Sequence, residues 1–112
     1  MNKLAEQKCV PCEEGGKPLQ GKELDDLKRE LGADWKIVNN HHLEKLYKFK
    51  DFVEALDFTN KIGAIAEEQG HHPDIYLTWG KVRIEIFTHT VNGLTKNDFI
   101  LAAKFEEATS ET

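Results

Sequence analysis

The sequence lacks any long hydrophobic stretch. None of its apolar runs approaches the roughly 18 residues that a transmembrane helix needs. The first residues, Met1 to Gln7, also lack the apolar core of a secretory signal. Both absences predict a cytoplasmic protein with no membrane partner. The overall composition, with 39% hydrophobic and 31% charged residues, is typical of a folded globular domain rather than of a disordered chain.

A cluster of basic residues is missing as well. The 15 Lys and Arg residues are scattered among 20 Asp and Glu residues, and the net charge is -5. A surface that binds a nucleic-acid duplex needs clustered Lys and Arg to displace counterions from the phosphates. Direct binding of nucleic acid is therefore not expected, and the acidic balance mainly favours solubility.

Cysteine is scarce, and its two copies form the CxxC motif of Cys9 and Cys12. A thioredoxin-like site should follow a strand and open a helix, whereas this pair stands in a polar leader. A structural zinc site needs four ligands, and the sequence has no second pair of cysteines. We therefore interpret the two residues as reduced thiols in a mobile or loosely docked arm.

What the sequence does contain is enough for one compact domain. A chain of 112 residues suits a single domain that buries its own core without disulfides or metal. Prolines and glycines in residues 1–18 predict an irregular leader. A single domain is then predicted over residues 19–108, followed by a polar, frayed tail over residues 109–112.

Apolar residues at helical spacing predict three amphipathic helices. Asp51 is placed to cap the second helix, with Glu54 completing a pattern like a capping box, and Gly70 to end it. Thr95 is the predicted cap of the third, with Asp98 near the positive end of the helix dipole. The predicted spans are from about 19 or 22 to 31, from 51 to 69, and from 95 to about 107.

Alternating apolar residues predict four short strands, at 35–38, 43–49, 75–79 and 81–88. His41 and His42 are predicted to lie in a solvent-facing connection between the first two strands. Gly80-Lys81 is predicted to be the two-residue turn between the last two. This order of elements predicts an α+β fold, with a four-stranded antiparallel sheet and three helices packed on one face.

A histidine pair follows the predicted end of the second helix. Pro73 stands behind His71 and His72, and proline favours an extended conformation at the residue before it. A rigid turn is a good mount for a catalytic side chain, because holding its orientation costs little.

The predicted hairpin brings a third histidine toward this turn. If Gly80-Lys81 are the loop residues, Trp79 pairs with Val82, and the same register sets His72 opposite His89. The two strand ends should then lie close together, although the histidines are distant in sequence.

Clustered imidazoles suit proton transfer near neutral pH, because the ordinary histidine pKa is about 6.5. Glu67, one helical turn before His71, could orient an imidazole or bind polar substrate atoms. Asp98 could approach the same place. Each residue also has a structural interpretation: His72 or His89 as a polar residue at a strand end, Asp98 as a helix-start charge, Glu67 as a solvated carboxylate.

Zinc binding is the other chemistry that three histidines and a carboxylate can support. Adjacent His71 and His72 should point in different directions in an extended turn, and the sequence has no HExxH or similar helical pair. We therefore rank a metal site below acid–base chemistry and predict no metal ligands.

The segment from Glu67 to Asp74 resembles the signature of the pterin-4a-carbinolamine dehydratases. The leader around Cys9 and Cys12 and the segment 49–52 are similar to bacterial members, and the resemblance covers residues 8 to 107. The signature positions are filled by Glu67, His71, His72, Pro73, Trp79, His89 and Asp98.

The resemblance implies a hydro-lyase that converts 4a-hydroxytetrahydrobiopterin to quinonoid dihydropterin in tetrahydrobiopterin recycling. It implies no metal or redox cofactor, a homodimer or homotetramer, and a functional link to an aromatic amino acid hydroxylase, whose product is the substrate. Animal members also bind a homeodomain transcription factor. A protein-binding or regulatory module with the same fold is therefore the alternative function.

The resemblance also implies roles for individual residues. His71, His72 and His89 would be the catalytic and pterin-contacting histidines, with His71 and His89 most directly engaged in proton transfer. The implied substrate-binding residues are Glu67, Pro73, Thr88, Thr90 and Asp98.

Overall fold

The computed structural model describes residues 3–7, 18–32 and 35–110. Cys9 and Cys12, and with them the prediction for the CxxC motif, lie outside these ranges. No described helix is long and apolar enough to cross a membrane. In chain order the elements are a 3-10 helix (Lys3–Glu6), α1 (Lys22–Leu31), β1 (Lys36–Val38), β2 (His42–Lys48), α2 (Phe52–Gln69), β3 (Asp74–Thr78), β4 (Lys81–Ile86) and α3 (Lys96–Ser110).

The four strands form one antiparallel sheet in the order β1-β2-β4-β3. In β4 the side chains of Val82, Ile84 and Ile86 are fully buried, whereas Lys81 and Arg83 are exposed. Helix α2 packs on β3, β4 and α3, and α1 packs on α3. The α+β fold and the antiparallel sheet predicted from the sequence are therefore confirmed.

The outward face of the sheet is polar and open around Arg83. The Arg83 guanidinium lies 4.2 Å from the centre of the Tyr76 ring and 3.6 Å from carboxylate oxygens of both Glu44 and Glu85. Arg83 thus stacks on an aromatic ring while it is paired with two acids. Leu46, on the neighbouring strand, is 46% exposed.

A partly buried polar cluster ties the sheet to α3. The indole nitrogen of Trp35 donates to Glu106 Oε1 at 3.0 Å, and Lys45 Nζ donates to the same oxygen at 2.5 Å. The Tyr47 hydroxyl also donates to it. Burial, together with the hydrogen bond and negative charge of Glu106, raises the pKa of Tyr47 above its ordinary value.

Local chemistry sets the ends of α2 as predicted. Asp51 Oδ1 accepts from the backbone N–H of Glu54 at 2.9 Å, and Glu54 Oε1 accepts from the N–H of Lys50 at 3.2 Å. At the other end Gly70 adopts the left-handed conformation, with φ 65° and ψ 27°. The N–H of His71 then reaches back to Ala66 at 3.2 Å, so this glycine turn sets the start of the histidine pair.

The predicted turn between β3 and β4 is wrong by one residue. The observed loop is Trp79-Gly80, because Thr78 pairs with Lys81. Gly80 also allows a close approach of the chain, independently of the turn type. Its carbonyl accepts from the N–H of Phe49 at 2.8 Å, and a Cβ at position 80 would lie 3.0 Å from the Phe49 oxygen.

The register predicted from that turn is wrong as a consequence. Leu77 pairs with Val82, and Asp74 with Glu85 is the last pair of the ladder. Extending the observed register sets residue 71 opposite residue 88. His71 is therefore opposite Thr88, and His72 is opposite Phe87 rather than His89.

Two described segments near the chain ends, residues 3–7 and 108–110, contain helical structure that their composition did not predict. Within the predicted irregular leader, the 3-10 helix buries Leu4 and Ala5, and the Ala5 carbonyl accepts from Lys104 Nζ at 2.8 Å. Helix α3 extends to Ser110, beyond the predicted start of fraying, and Ala108 is buried. Apolar contacts outweigh the polar composition at both ends.

Candidate active site

The buried carboxylate of Asp98 is the centre of the candidate site. Its side chain is 0% exposed, and Oδ1 lies 2.5 Å from His71 Nε2. Oδ2 accepts from the Thr88 hydroxyl at 2.9 Å and from the backbone N–H of Thr95 at 2.8 Å. Both oxygens are thus engaged, and their partners come from the α2–β3 turn, the end of the sheet and the start of α3.

The start of α3 explains why an aspartate occupies this position. Asp98 is the third residue of the helix, and its side chain reaches back to the N–H of Thr95, the residue before the helix. This is the second half of a capping box, and it places negative charge at the positive end of the helix dipole. The Thr95 hydroxyl lies 2.9 Å from that of Thr88. Helix capping and the histidine site therefore share one carboxylate.

The contact with Asp98 sets the chemistry of His71. A carboxylate only accepts hydrogen bonds, so Nε2 of His71 carries the proton in the neutral ring. Nδ1 is then the nitrogen with a free lone pair, which can accept a proton. When it does, the carboxylate beside the ring stabilises the positive charge. The His71–Asp98 pair is thus a preorganised proton acceptor, and the His71 side chain is 13% exposed.

His72 has a carboxylate partner of its own. Its Nε2 lies 2.8 Å from Glu67 Oε2, on the last turn of α2. The side chains are 62% and 81% exposed, so the contact contributes little stability. It can orient the imidazole, as the sequence position of Glu67 suggested.

His89 lies on a tight turn that follows β4. Thr88 and Gly93 form an isolated antiparallel bridge, and the N–H of Asn92 donates to the His89 carbonyl at 3.2 Å. The exposed His89 ring lies 4.2 Å from that of Phe87, centre to centre. Within the part of the chain that the structure describes, no hydrogen bond or ring contact joins His89 to His71.

Comparison with known proteins assigns the family. Residues 17–108 match the family model described as Pterin 4 alpha carbinolamine dehydratase. The chain belongs to the pterin-4a-carbinolamine dehydratase family. The resemblance inferred from the histidine signature is therefore confirmed.

Relatives cover nearly the whole length of this family member. A protein of Alkaliphilus metalliredigens, provisionally named a pterin-4-alpha-carbinolamine dehydratase, is 51% identical over 99% of this chain and 100% of its own. A protein of Rickettsia canadensis with the same provisional name is 56% identical over 95% and 97%.

Solved structures support the same fold. The crystal structure of a transcriptional coactivator/pterin dehydratase from Brucella melitensis has a TM-score of 0.76 and 29% identity, over 82% of this chain and 98% of that one. A pterin dehydratase-like RuBisCO assembly factor of the alpha-carboxysome has a TM-score of 0.59 over 70% of this chain and 92% of its own. At 21% identity, the second likeness shows the fold alone.

The predicted site residues form two hydrogen-bonded groups, and three further residues lie outside both groups. His71, Asp98 and Thr88 form one hydrogen-bonded chain. His72 and Glu67 form a second pair. The remaining predicted residues are His89, directly after Thr88, the exposed Thr90 on the same turn, and the half-buried Pro73 before β3.

Sequence reasoning missed the surroundings of His89. His41 and His42 were predicted to face solvent, but both are half-buried, and His41 Nε2 lies 3.0 Å from Asn92 Oδ1. Leu43 pairs with Ile86, so the next step of that ladder brings residue 42 toward Phe87. The contact follows from the pairing of β2 with β4, which no local sequence pattern indicates.

The sequence predicted that the histidines of the site serve acid–base chemistry rather than metal binding. Among residues 3–7, 18–32 and 35–110, no group of three or more His, Cys, Asp or Glu side chains is arranged to hold a metal ion. The two carboxylate–imidazole pairs are each complete as hydrogen-bonded pairs.

Proposed function

We propose that the protein dehydrates 4a-hydroxytetrahydrobiopterin to quinonoid dihydropterin and water, in tetrahydrobiopterin recycling. The observation that carries this proposal is the His71–Asp98 pair, an imidazole whose free nitrogen is set by a fully buried carboxylate. Membership of the dehydratase family supports the choice of reaction.

The reaction requires two proton transfers. The C4a–O bond and the N5–H bond break, a C4a=N5 double bond forms, and the hydroxyl leaves as water. One histidine gives a proton to the hydroxyl and another takes the proton from N5, so the histidines together keep the same number of protons. We assign the N5 proton to His71 Nδ1, because Asp98 stabilises the resulting cation.

The remaining roles follow from the family resemblance and from burial. His89, which the resemblance engages in proton transfer together with His71, acts as the acid, while His72, oriented by Glu67, positions the substrate. Asp98 and Thr88 are buried and bonded to each other, so they act through His71 rather than on the pterin. Glu67, Pro73 and Thr90 line the substrate site with the three histidines.

The dehydration rate tests this proposal. Metal-free wild-type protein should accelerate loss of water from 4a-hydroxytetrahydropterin over buffer, and His71→Ala should lose about a hundredfold or more of the rate. Lys48→Ala, an exposed change on β2, is the matched control and should retain it. A dehydration rate with wild-type protein that is no faster than in buffer would refute the proposal.

Oligomerisation in the cytoplasm belongs to the same proposal. Phe52 and Val53, on the first turn of α2, are 42% and 65% exposed, and Trp79, in the β3–β4 loop, is 69% exposed. Large exposed apolar side chains are candidates for an interface, and a homodimer or homotetramer would cover them. Sedimentation equilibrium should give a mass of two or four chains, and a single-chain mass would refute this part.

A second candidate function is protein binding. The Brucella melitensis structure, 29% identical, is described as both a transcriptional coactivator and a pterin dehydratase. A regulatory module would need the fold but not the proton-transfer residues. The discriminating experiment is co-purification of a regulator with His71→Ala. Retention of the regulator together with an inactive wild type would favour this candidate over the enzyme.

A further inference from the structure

Three rings form a stack across the end of the sheet. The His41 ring lies 4.5 Å from the Phe87 ring, and Phe87 lies 4.2 Å from His89, centre to centre. The planes are tilted by 40° and 43°. Phe87 therefore lies between an imidazole of the β1–β2 hairpin and a histidine assigned to proton transfer.

The same imidazole also contacts the far side of the turn that carries His89. His41 Nε2 lies 3.0 Å from Asn92 Oδ1, and the N–H of Asn92 donates to the carbonyl of His89. Asn92 has a φ of 52°, in the left-handed region that asparagine tolerates. His41 thus contacts Phe87 and Asn92, the two residues that flank the segment 88–91.

The hairpin that carries His41 is well defined. Asn39 and Asn40 have φ values of 52° and 55°, as a tight type I′ hairpin turn requires, and the N–H of His41 donates to Val38 at 2.9 Å. His41 Nδ1 lies 3.2 Å from His42 Nδ1. Since Asn92 Oδ1 accepts from His41 Nε2–H, His41 Nδ1 accepts from the Nδ1–H of His42.

We propose that His41 is a positioning residue for His89, acting through the Phe87 ring and the Asn92 side chain. This inference rests on the proposed function, in which His89 transfers a proton. An exposed imidazole on a turn samples several rotamers, and proton transfer requires one of them within hydrogen-bond reach of the substrate. The stack and the hydrogen bond restrict the turn to one arrangement before substrate binds.

The test combines kinetics with the NMR signals of the His89 ring. His41→Ala should move the His89 imidazole resonances, because the position of the Phe87 ring beside them changes. It should lower kcat by about threefold to tenfold, since a misplaced group loses less than a removed one. The melting temperature should stay near that of the wild type, because the contacts of His41 are partly exposed.

Matched variants separate the two contacts. Asn40→Gly keeps the left-handed turn and should change neither kcat nor the His89 signals. Asn92→Gly removes the oxygen that meets His41 but tolerates the positive φ, and it should reproduce part of the loss. Asn92→Asp keeps an acceptor oxygen and should restore the wild-type rate. The effects of His41→Ala and Asn92→Gly should not add, because they break one path.

The outcomes distinguish this inference from the function on which it rests. Unchanged His89 resonances in His41→Ala overturn the inference, even if kcat falls. An unchanged kcat in an active enzyme also overturns it. An inactive wild type overturns the proposed function instead, and the resonances then decide on their own whether His41 positions His89.

Discussion

His71 Nε2 and Asp98 Oδ1 lie 2.5 Å apart, although 27 positions separate the two residues in sequence. The contact joins the end of α2 to the start of α3, and the carboxylate is completely buried. Thr88 and Thr95 both donate hydrogen bonds to the other oxygen, Oδ2. These bonds fix the orientation of the Asp98 carboxylate. The first two predictions test what this arrangement does for His71.

Asp98→Asn should abolish the proposed dehydratase activity while keeping the size and shape of the side chain. The oxygen of the amide would remain with Thr88 and Thr95, and its NH₂ group would face His71. Nε2 of His71 would then have to accept, which moves its proton to Nδ1, the nitrogen that must be free. We expect kcat to fall by about a hundredfold or more, as when a general base is lost. Nitrogen NMR of the His71 ring should show the exchanged tautomer. An unchanged kcat would show that Asp98 does not act through His71.

Thr88→Val should destabilise the protein through the same carboxylate. Valine matches the shape of threonine but cannot donate to Asp98 Oδ2. Hydrogen bonds to charged groups contribute about 1.5–3 kcal/mol, and we expect the free energy of unfolding to fall by that order. Denaturant titration measures it. Thr88→Ser keeps the hydroxyl and is the control, and an equal loss in both variants would contradict this account.

Gly93→Ala should disturb the turn that carries His89. A Cβ at position 93 would lie 2.6 Å from the Cβ of Pro18, closer than real side chains approach. Overpacking of this kind costs about 1–3 kcal/mol, and the melting temperature should fall accordingly. Gly63→Ala is the control, because its Cβ meets nothing within 4 Å on α2. The control should be neutral or stabilising, and equal melting temperatures for the two variants would refute the steric argument.

Tyr47 should make the protein sensitive to alkali. Burial and the Glu106 carboxylate raise the pKa of Tyr47 in the folded protein above its ordinary value of about 10. Its contribution to stability is therefore complete below that value and is lost as the pH rises above it, where the unfolded chain ionises. The slope is at most about 1.4 kcal/mol per pH unit for one proton.

The measurement for Tyr47 compares unfolding free energies at neutral and alkaline pH. Tyr47→Phe keeps the ring contact with Phe58, 4.7 Å away, but removes the ionisable group. Its stability should decline less steeply above pH ~10 than that of the wild type. Parallel curves for the two proteins would contradict the raised pKa, because the lysines and the exposed Tyr76 are common to both.

The sequence predicted elements whose signals are local. Asp51 and Gly70 mark the ends of α2 through their own backbone chemistry, and both ends are confirmed. His71 and His72 were singled out because they stand next to each other and to Pro73, and their catalytic role stays a prediction. The approach of Asp98 was foreseen, but the sequence did not indicate that His71 would be its partner.

The register of the sheet could not be predicted because Gly80 serves an unforeseen purpose. The sequence suggested a turn that exploits a glycine, whereas this glycine allows Phe49 to approach closely. Similarly, His41 meets Phe87 only because β2 pairs with β4, and that pairing is not adjacent in sequence. Such contacts depend on the assembled sheet rather than on any local pattern.

The most direct test of the proposed dehydratase is the rate of 4a-hydroxytetrahydropterin dehydration by metal-free wild-type protein, measured beside His89→Ala. We predict a clear acceleration over buffer for the wild type and a loss of about a hundredfold or more in the variant. A wild-type rate equal to that of buffer, or a variant as fast as the wild type, would contradict histidine acid–base catalysis at this site.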